Sequence, residues 1–147
     1  MHFEGTVNVK ASKEKAFEIV TNPKSISKCM PDLQKLDIKN SDDFTAVVRA
    51  GVSFIKGDFT IHFKVVEKDP PNHVKMTGHG SGMGSTIDLE TVMDLTDAEN
   101  RSINMNWKAD ANIGGKIVSV GKRLLDSQAE KIMNQLFECI RRELATA

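Results

Sequence analysis

The sequence predicts an α+β protein in which a curved antiparallel sheet of about six or seven strands wraps around a long C-terminal helix, with two short helices after the first strand. Apolar and polar residues alternate through most of residues 33–113, which is the period of strands with one buried face. Residues 117–144 instead carry apolar side chains at helical spacing. Because the strands follow one another without intervening helices, antiparallel pairing is expected.

The first elements are marked by local signals. Residues 3–9 alternate and predict a half-buried strand. Ser12 is the expected N-cap of a helix of about three turns that ends at Asn22-Pro23. Residues 24–30, between Pro23 and Pro31, predict a second short helix.

The remaining elements follow from turns and glycines. Turn-forming residues at 40–43, 69–72 and 96–100 divide the strand region. At residues 55–57 the apolar phase shifts, and the sequence leaves a tight turn and a bulge as alternatives. Gly114-Gly115 ends the last strand, and one helix over 117–144, about 42 Å long, is expected to cross the sheet. No repeat or linker divides the chain, so residues 1–147 are predicted to form one domain.

Composition argues against several functional classes. The chain has 147 residues, with 20 basic and 20 acidic side chains, so no overall field favours nucleic acid. Neither a signal-peptide run nor a membrane-spanning run of apolar residues is present, and a cytoplasmic location is expected. The two cysteines, Cys29 and Cys139, have no metal-ligand spacing and are predicted to be reduced thiols, with a packing role for Cys139.

Several short motifs together resemble one family along nearly the whole chain. They are Phe3-Glu4-Gly5, Ala11-Ser12, Asn22-Pro23, Met30-Pro31, Gly57-Asp58-Phe59, Asp69-Pro70-Pro71 and the glycine-rich residues 78–84. They resemble the CoxG family of carbon monoxide dehydrogenase subunits, which belongs to the START, or Bet v 1-like (SRPBCC), superfamily. This resemblance implies the helix-grip fold. It also implies an accessory role beside a molybdenum hydroxylase such as carbon monoxide dehydrogenase, linking that enzyme to the membrane or its quinone pool, without a cofactor of its own.

The chain departs from the family pattern in two places. Pro31-Asp32 stands where members usually have Pro-Gly, which changes the backbone freedom of that loop. Several members also carry a C-terminal extension linked to membrane attachment, whereas the sequence stops at Ala147. The resemblance therefore does not carry membrane anchoring over to this chain. Lys and Arg near a lipid surface contribute only about 1 kcal/mol each, so the membrane contact expected is weak and peripheral, at the inner membrane face.

The inward-facing positions of the predicted strands are apolar except for Thr91, which favours a site for a hydrophobic small molecule, a lipid or a quinone. Methionines adapt to irregular apolar ligands, and Trp107 suits stacking on a ring. Gly78 and Gly80 are expected to leave room, because they lack side chains on the inward face. The predicted ligand-binding residues are Phe59, Ile61, Phe63, Met76, Gly78, Gly80, Leu89, Thr91, Met93, Met105, Trp107, Val120 and Leu124.

Catalysis and metal binding find little support. The glycine-rich residues 78–84 lack the Gly-Lys-Ser/Thr ending of a phosphate-binding loop. No histidine has a metal-ligand spacing, and His62, His73 and His79 are expected to face solvent. Catalysis needs at least two converging reactive groups, so a non-catalytic carrier is predicted. A cyclase or aromatase of the polyketide type and a protein-only adaptor remain the alternatives.

Basic residues surround the start of the last helix. Lys116, Lys122 and Arg123 lie close to the apolar residues Ile117 and Val118. Two interpretations stay open at this point: a solvated helix face, or a weak contact with anionic lipid.

Overall fold

Seven antiparallel strands form one sheet, in the spatial order β1-β7-β6-β5-β4-β3-β2, in a computed structural model that describes residues 1–146. Two short helices follow β1, and a long helix ends the described chain. The elements are β1 His2–Val9, α1 Lys13–Thr21, α2 Pro23–Ser27, β2 Leu33–Asn40, β3 Asp43–Val52, β4 Ile55–Asp69, β5 His73–Gly82, β6 Ser85–Asp97, β7 Ile103–Gly115 and α3 Lys122–Thr146. This order confirms the predicted fold class.

Strand register places the alternating apolar residues on one face. Phe63 lies opposite Gly78, Gly78 opposite Leu89, and Leu89 opposite Ala111, so a single row crosses four neighbouring strands. Side chains of directly paired residues point to the same side of a sheet. Trp107, on the same face as Leu89, packs on Phe137 of α3, so the row lies on the face toward α3, which is the concave face.

Of the two alternatives for the phase shift at residues 55–57, the structure has a tight turn, which lies immediately before them, while residues 55–57 pair regularly with β3. Val52 pairs with Ile55, so only Ser53 and Phe54 connect β3 to β4. Because the two strands pair closely up to the turn, the number of strands reaches the upper end of the predicted range.

Asn22 connects the two short helices. Its backbone N–H donates to Glu18 O at the end of α1, and its side-chain oxygen accepts from Lys24 N at 3.0 Å to begin α2. Ser12 caps α1 as predicted, accepting from Lys15 N at 3.2 Å. The second helix, Pro23–Ser27, is shorter than the predicted residues 24–30.

The prediction of one continuous helix over residues 117–144 is wrong at its start. Residues Lys116–Val120 form a 3₁₀ helix, and α3 begins only at Lys122. Gly121 separates them with φ 96, in the left-handed region that glycine adopts without steric cost. The break changes the rotational phase of every apolar residue after it.

Two separate apolar clusters hold α3 against the rest of the protein. The first, at the C-terminal half of α3, contains Val9, Ala16, Phe17, Val20, Cys29, Val74, Leu95, Ile103, Met105, Ile140 and Leu144. The second lies beside the 3₁₀ helix and the start of α3, and contains Ile55, Phe59 and Ile117. Partly buried residues pack around both, including Leu136 and Phe137 at the first and Val120 and Leu125 at the second.

Cys29 and Cys139 form a disulfide, so the prediction of two reduced thiols is wrong. Their Cα atoms lie 5.4 Å apart although 110 residues separate them in sequence. The bond joins the segment after α2 to the C-terminal half of α3. Sequence spacing alone could not reveal the pair, because the fold and not a local motif brings these two positions together.

Candidate functional site

Between the two clusters, the middle of the concave face carries apolar residues that belong to neither. We call Ile61, Phe63, Met76, Leu89 and Thr91 the central concave surface. Each is only partly buried, although α3 packs on the sheet at both ends of this region. Side chains in a close-packed interface would lose nearly all contact with water. The helix therefore does not cover the central concave surface completely, and these side chains remain partly accessible to water.

Gly78 and Gly80 shape this surface differently from the prediction. A Cβ atom at Gly80 would lie 3.0 Å from Cγ1 of Ile61, and one at Gly78 would lie 3.2 Å from the Phe63 ring. The space directly above the two glycines is therefore occupied by these neighbouring side chains. The glycines let Ile61 and Phe63 lie along the sheet, and Phe63 also stacks on Phe44 with ring centroids 5.1 Å apart.

Trp107 forms one wall of the region. Its indole lies over Gly5, where a Cβ atom would come within 3.1 Å of the ring, and its centroid is 5.1 Å from that of Phe137 on α3. The indole N–H donates to no group within residues 1–146, and no buried side-chain polar atom among the described residues lacks a partner. The N–H is therefore accessible to water or a ligand. Phe137 was absent from the predicted site.

The other predicted ligand-binding residues lie outside the central concave surface. Phe59 and Met105 are buried in the second and first clusters, while Met93 and Val120 pack against the first and second respectively. Leu124 is 49% exposed. Leu125 packs beside Ile117 in its place, a change of phase that follows from the break at Gly121.

Polar chemistry on this surface is sparse. Thr91 is its one hydroxyl, and it donates a long hydrogen bond of 3.5 Å to Met76 O on the neighbouring strand. The described residues contain no group of three or more histidine, cysteine or carboxylate side chains placed to hold a metal ion.

Histidines and carboxylates pair instead on the convex face. His62 lies 2.6 Å from Asp43, His73 lies 2.6 Å from Asp94, and His79 pairs with the Asp88 carboxylate across the strands. This confirms that these three histidines face away from the core. They are remote from the concave face because adjacent positions on a strand point to opposite sides.

The pairing of His73 predicts a measurable pH dependence. Asp94, and then Glu67, raise the pKa of His73 above its ordinary 6.5. A raised pKa stabilises the folded protein fully below pH 6.5, and this contribution disappears as pH rises through the folded-state pKa. We expect His73→Gln to lower stability at about pH 6 by no more than about 1 kcal/mol, and less at about pH 9. Thermal melts of both proteins at the two pH values test this, and an equal difference at both would contradict it.

Two shallow surface hollows border the concave region at Trp107 and at Phe44. One, of about 310 Å³, is lined by Glu4, Gly5, Thr6, Val92, Asp94, Asn106, Trp107 and Lys108. The other, of about 430 Å³, is lined by Asp37, Ile38, Lys39, Asp43, Phe44, Thr45 and His62. Both linings mix charged, polar and apolar side chains, and neither includes a residue of the central concave surface.

No helix within residues 1–146 has the length and apolar character needed to cross a bilayer.

Comparison with known proteins agrees with this architecture. A conserved protein from Geobacillus kaustophilus matches with 25% identity and a TM-score of 0.91, covering 99% of this chain and 96% of that one. A START superfamily protein from Mycobacterium smegmatis has 12% identity and a TM-score of 0.74, covering 99% and 97%. A protein from Thermus thermophilus has 8% identity and a TM-score of 0.73, covering 99% and 98%. The last two likenesses concern the fold alone.

No curated protein sequence matches the chain. Residues 5–145 match the family described as the CoxG subunit of carbon monoxide dehydrogenase. That match spans both apolar clusters, the central concave surface and nearly all of α3. The predicted helix-grip, START-like fold is confirmed, and the chain belongs to the CoxG family.

Proposed function

We propose that this protein is a non-catalytic accessory protein that holds a hydrophobic small molecule, a lipid or a quinone, on the central concave surface. In this proposal it serves a carbon monoxide dehydrogenase-like molybdenum hydroxylase and links that enzyme to the membrane or its quinone pool. The observation that carries the proposal is an apolar surface that the protein's own helix leaves accessible to water. Family membership supports the choice of enzyme partner. In this proposal the protein acts at the cytoplasmic face of the membrane.

The polar groups favour a ligand with carbonyl oxygens. Thr91 has a hydroxyl whose present hydrogen bond is long, and Trp107 has an N–H without a partner among the described residues. Thr91 pairs with Ala109 while Met93 pairs with Trp107, so Thr91 and Trp107 are diagonal neighbours on one face, about 7–8 Å apart between backbones. Both groups donate hydrogen bonds, and no cation accompanies them on the central concave surface. A neutral quinone ring suits this arrangement better than a fatty-acid carboxylate does, since a buried carboxylate needs a paired charge.

An enzyme of the polyketide cyclase kind is the second candidate. General acid–base chemistry needs titratable groups that converge on the substrate. The groups whose pKa is shifted, His2, Asp43, Glu67, His73 and Lys75, bond to partners at outward-facing or edge positions. Because Thr91 is the one polar residue of the central concave surface, the carrier is the better-supported function.

The first experiment identifies the natural ligand and partner together. The protein, tagged and isolated from its own host without detergent, is analysed by native mass spectrometry, and its co-purifying proteins are identified. We expect an added mass that extracts as a quinone or lipid, together with a molybdenum hydroxylase. Recovery of the hydroxylase without any ligand would favour the protein-only adaptor, and turnover of a polyketide substrate would favour the enzyme.

A matched pair of variants tests whether the ligand binds at the central concave surface. Leu89→Gln introduces a polar group of similar size on the central concave surface, outside both clusters. Burying an unpaired amide costs about 1–3 kcal/mol, so affinity for a short-chain menaquinone analogue should fall about tenfold or more. The control is Val66→Gln, because Val66 is 50% exposed and belongs to neither cluster. Fluorescence titration without membranes measures both, and equal affinities would contradict this site.

A further inference from the structure

Exposed apolar side chains gather at one end of the sheet. Phe54 is 75% exposed in the β3–β4 turn, Met83 is 46% exposed in the β5–β6 turn, and Val118 and Leu124 are 51% and 49% exposed around Gly121. We call Phe54, Met83, Val118 and Leu124 the apolar tip. Single exposed apolar residues are ordinary, but a group contributed by three separate chain segments at one end marks an interaction surface.

Direct contacts bring these segments together. The Met83 sulfur lies over Gly57, where a Cβ atom would collide with it, so the β5–β6 turn covers the base of the β3–β4 hairpin. On the other side, Lys116 N donates to Gly84 O at 3.1 Å, and the Lys116 side chain lies against Gly84. The Met83-Gly84 turn therefore stands between Phe54 and the 3₁₀ helix that carries Val118.

The backbone conformation of these turns does not favour the apolar residues found there. Met83 has φ 55 and Ser53 has φ 57, a region in which glycine, asparagine and aspartate are the low-energy residues of tight hairpins. A methionine at such a position contributes nothing to turn formation that asparagine would not provide better. Likewise, Phe54 fills a turn position with a large side chain that is mostly outside the protein.

Charge around the apolar tip is mainly basic, although Asp58 and Asp126 directly follow two of its segments. Residues 51–57, 82–86 and 114–125 contain four basic residues and no acidic one, namely Lys56, Lys116, Lys122 and Arg123. Because the whole chain is balanced at 20 basic and 20 acidic residues, the rest of the molecule has an acidic excess of four. Lys122 pairs with Asp126 at 2.7 Å, whereas Lys56, Lys116 and Arg123 make no ion pair among the described residues.

We propose that the apolar tip and its surrounding cations dock the protein reversibly on an anionic lipid surface, with Phe54 and Met83 inserted among the headgroups. Apolar side chains ringed by unpaired lysine and arginine match the boundary between acyl chains and negative headgroups. A protein partner is less suited, since the tips of turns present a small convex area and not a broad face. This inference rests on the proposed function, because a carrier of a lipid or quinone must contact the bilayer that holds its ligand.

Vesicle co-sedimentation tests the proposal with the whole protein. We expect binding to phosphatidylcholine vesicles that contain about a third phosphatidylglycerol, and much weaker binding to pure phosphatidylcholine vesicles. Phe54→Ser combined with Met83→Asn should reduce the partition coefficient about tenfold or more. Asparagine suits the left-handed conformation at position 83, so this variant should keep its melting temperature. Lys56→Gln combined with Lys116→Gln should reduce anionic binding by an amount that shrinks as salt is added.

The control is Ile38→Ser combined with Val66→Ser, which removes two exposed apolar side chains outside the apolar tip and should leave vesicle binding unchanged. Wild-type protein that stays in the supernatant with anionic vesicles would overturn the proposal, as would equal loss from the control. Loss of hydroxylase capture by the apolar-tip variant without any wild-type vesicle binding would also overturn it, in favour of a protein partner. Binding of the short-chain menaquinone analogue without membranes tests the carrier separately, so the two proposals can fail independently.

Discussion

Cys139→Ser should lower the free energy of unfolding by about 3–5 kcal/mol, a large part of the stability of a protein of this size. The disulfide joins residues 110 positions apart, so it restricts the unfolded chain over most of its length. In the chain-entropy account, stabilisation grows with the length of the closed loop. The measurement is urea-induced unfolding followed by circular dichroism, under oxidising conditions.

Reductant provides the control for this prediction. Wild-type protein treated with a thiol reductant should unfold at the same urea concentration as Cys139→Ser, and the variant should not respond to reductant. Unfolding midpoints that are identical for the variant, the reduced protein and the untreated protein would show that the Cys29–Cys139 bond contributes nothing. A variant that remains reductant-sensitive would contradict the assignment of the bond.

Ile140→Ala should cost about 2–5 kcal/mol, because Ile140 is 2% exposed within the first apolar cluster and its truncation leaves a cavity. The matched control is Ile132→Ala on the same helix, where the side chain is 37% exposed. That substitution should cost less than about 1 kcal/mol. Urea unfolding of the two variants under identical conditions compares them. Equal losses would mean that α3 packs uniformly along its length, against the arrangement of two separate clusters.

The fold was largely predictable because its signals are local. Strand alternation, the Ser12 cap and the prolines at positions 23 and 31 each act within a few residues. The break at Gly121 was not predicted, because one glycine within an apolar helical pattern is compatible with both a continuous helix and an interruption. Its consequence was specific: Leu124 was expected to face inward, and Leu125 packs there instead.

The candidate site was predictable as a face and not as a set of contacts. Alternation grouped Ile61, Phe63, Met76, Leu89 and Thr91, and the strand register places them on one side of the sheet. Which inward residues close the core and which remain accessible depends on where α3 touches the sheet, and that is set by tertiary packing. The same limit applies to the cysteine pair, whose closeness arises only after α1, α2 and α3 assemble.

The two ends of α3 differ in how they are attached, so the helix can tilt about its disulfide-bonded end. Near one end Cys139 bonds it covalently to the α2 region, while the other end begins after Gly121 and packs through apolar side chains such as Leu125. Lys122 and Cys139 are about 26 Å apart along the helix axis, so a tilt of about 10° at the bonded end displaces the far end by about 4–5 Å. Such a tilt therefore separates α3 from the sheet mainly beside Gly121. A ligand would enter and leave there, at the end of the molecule that carries Phe54 and Met83.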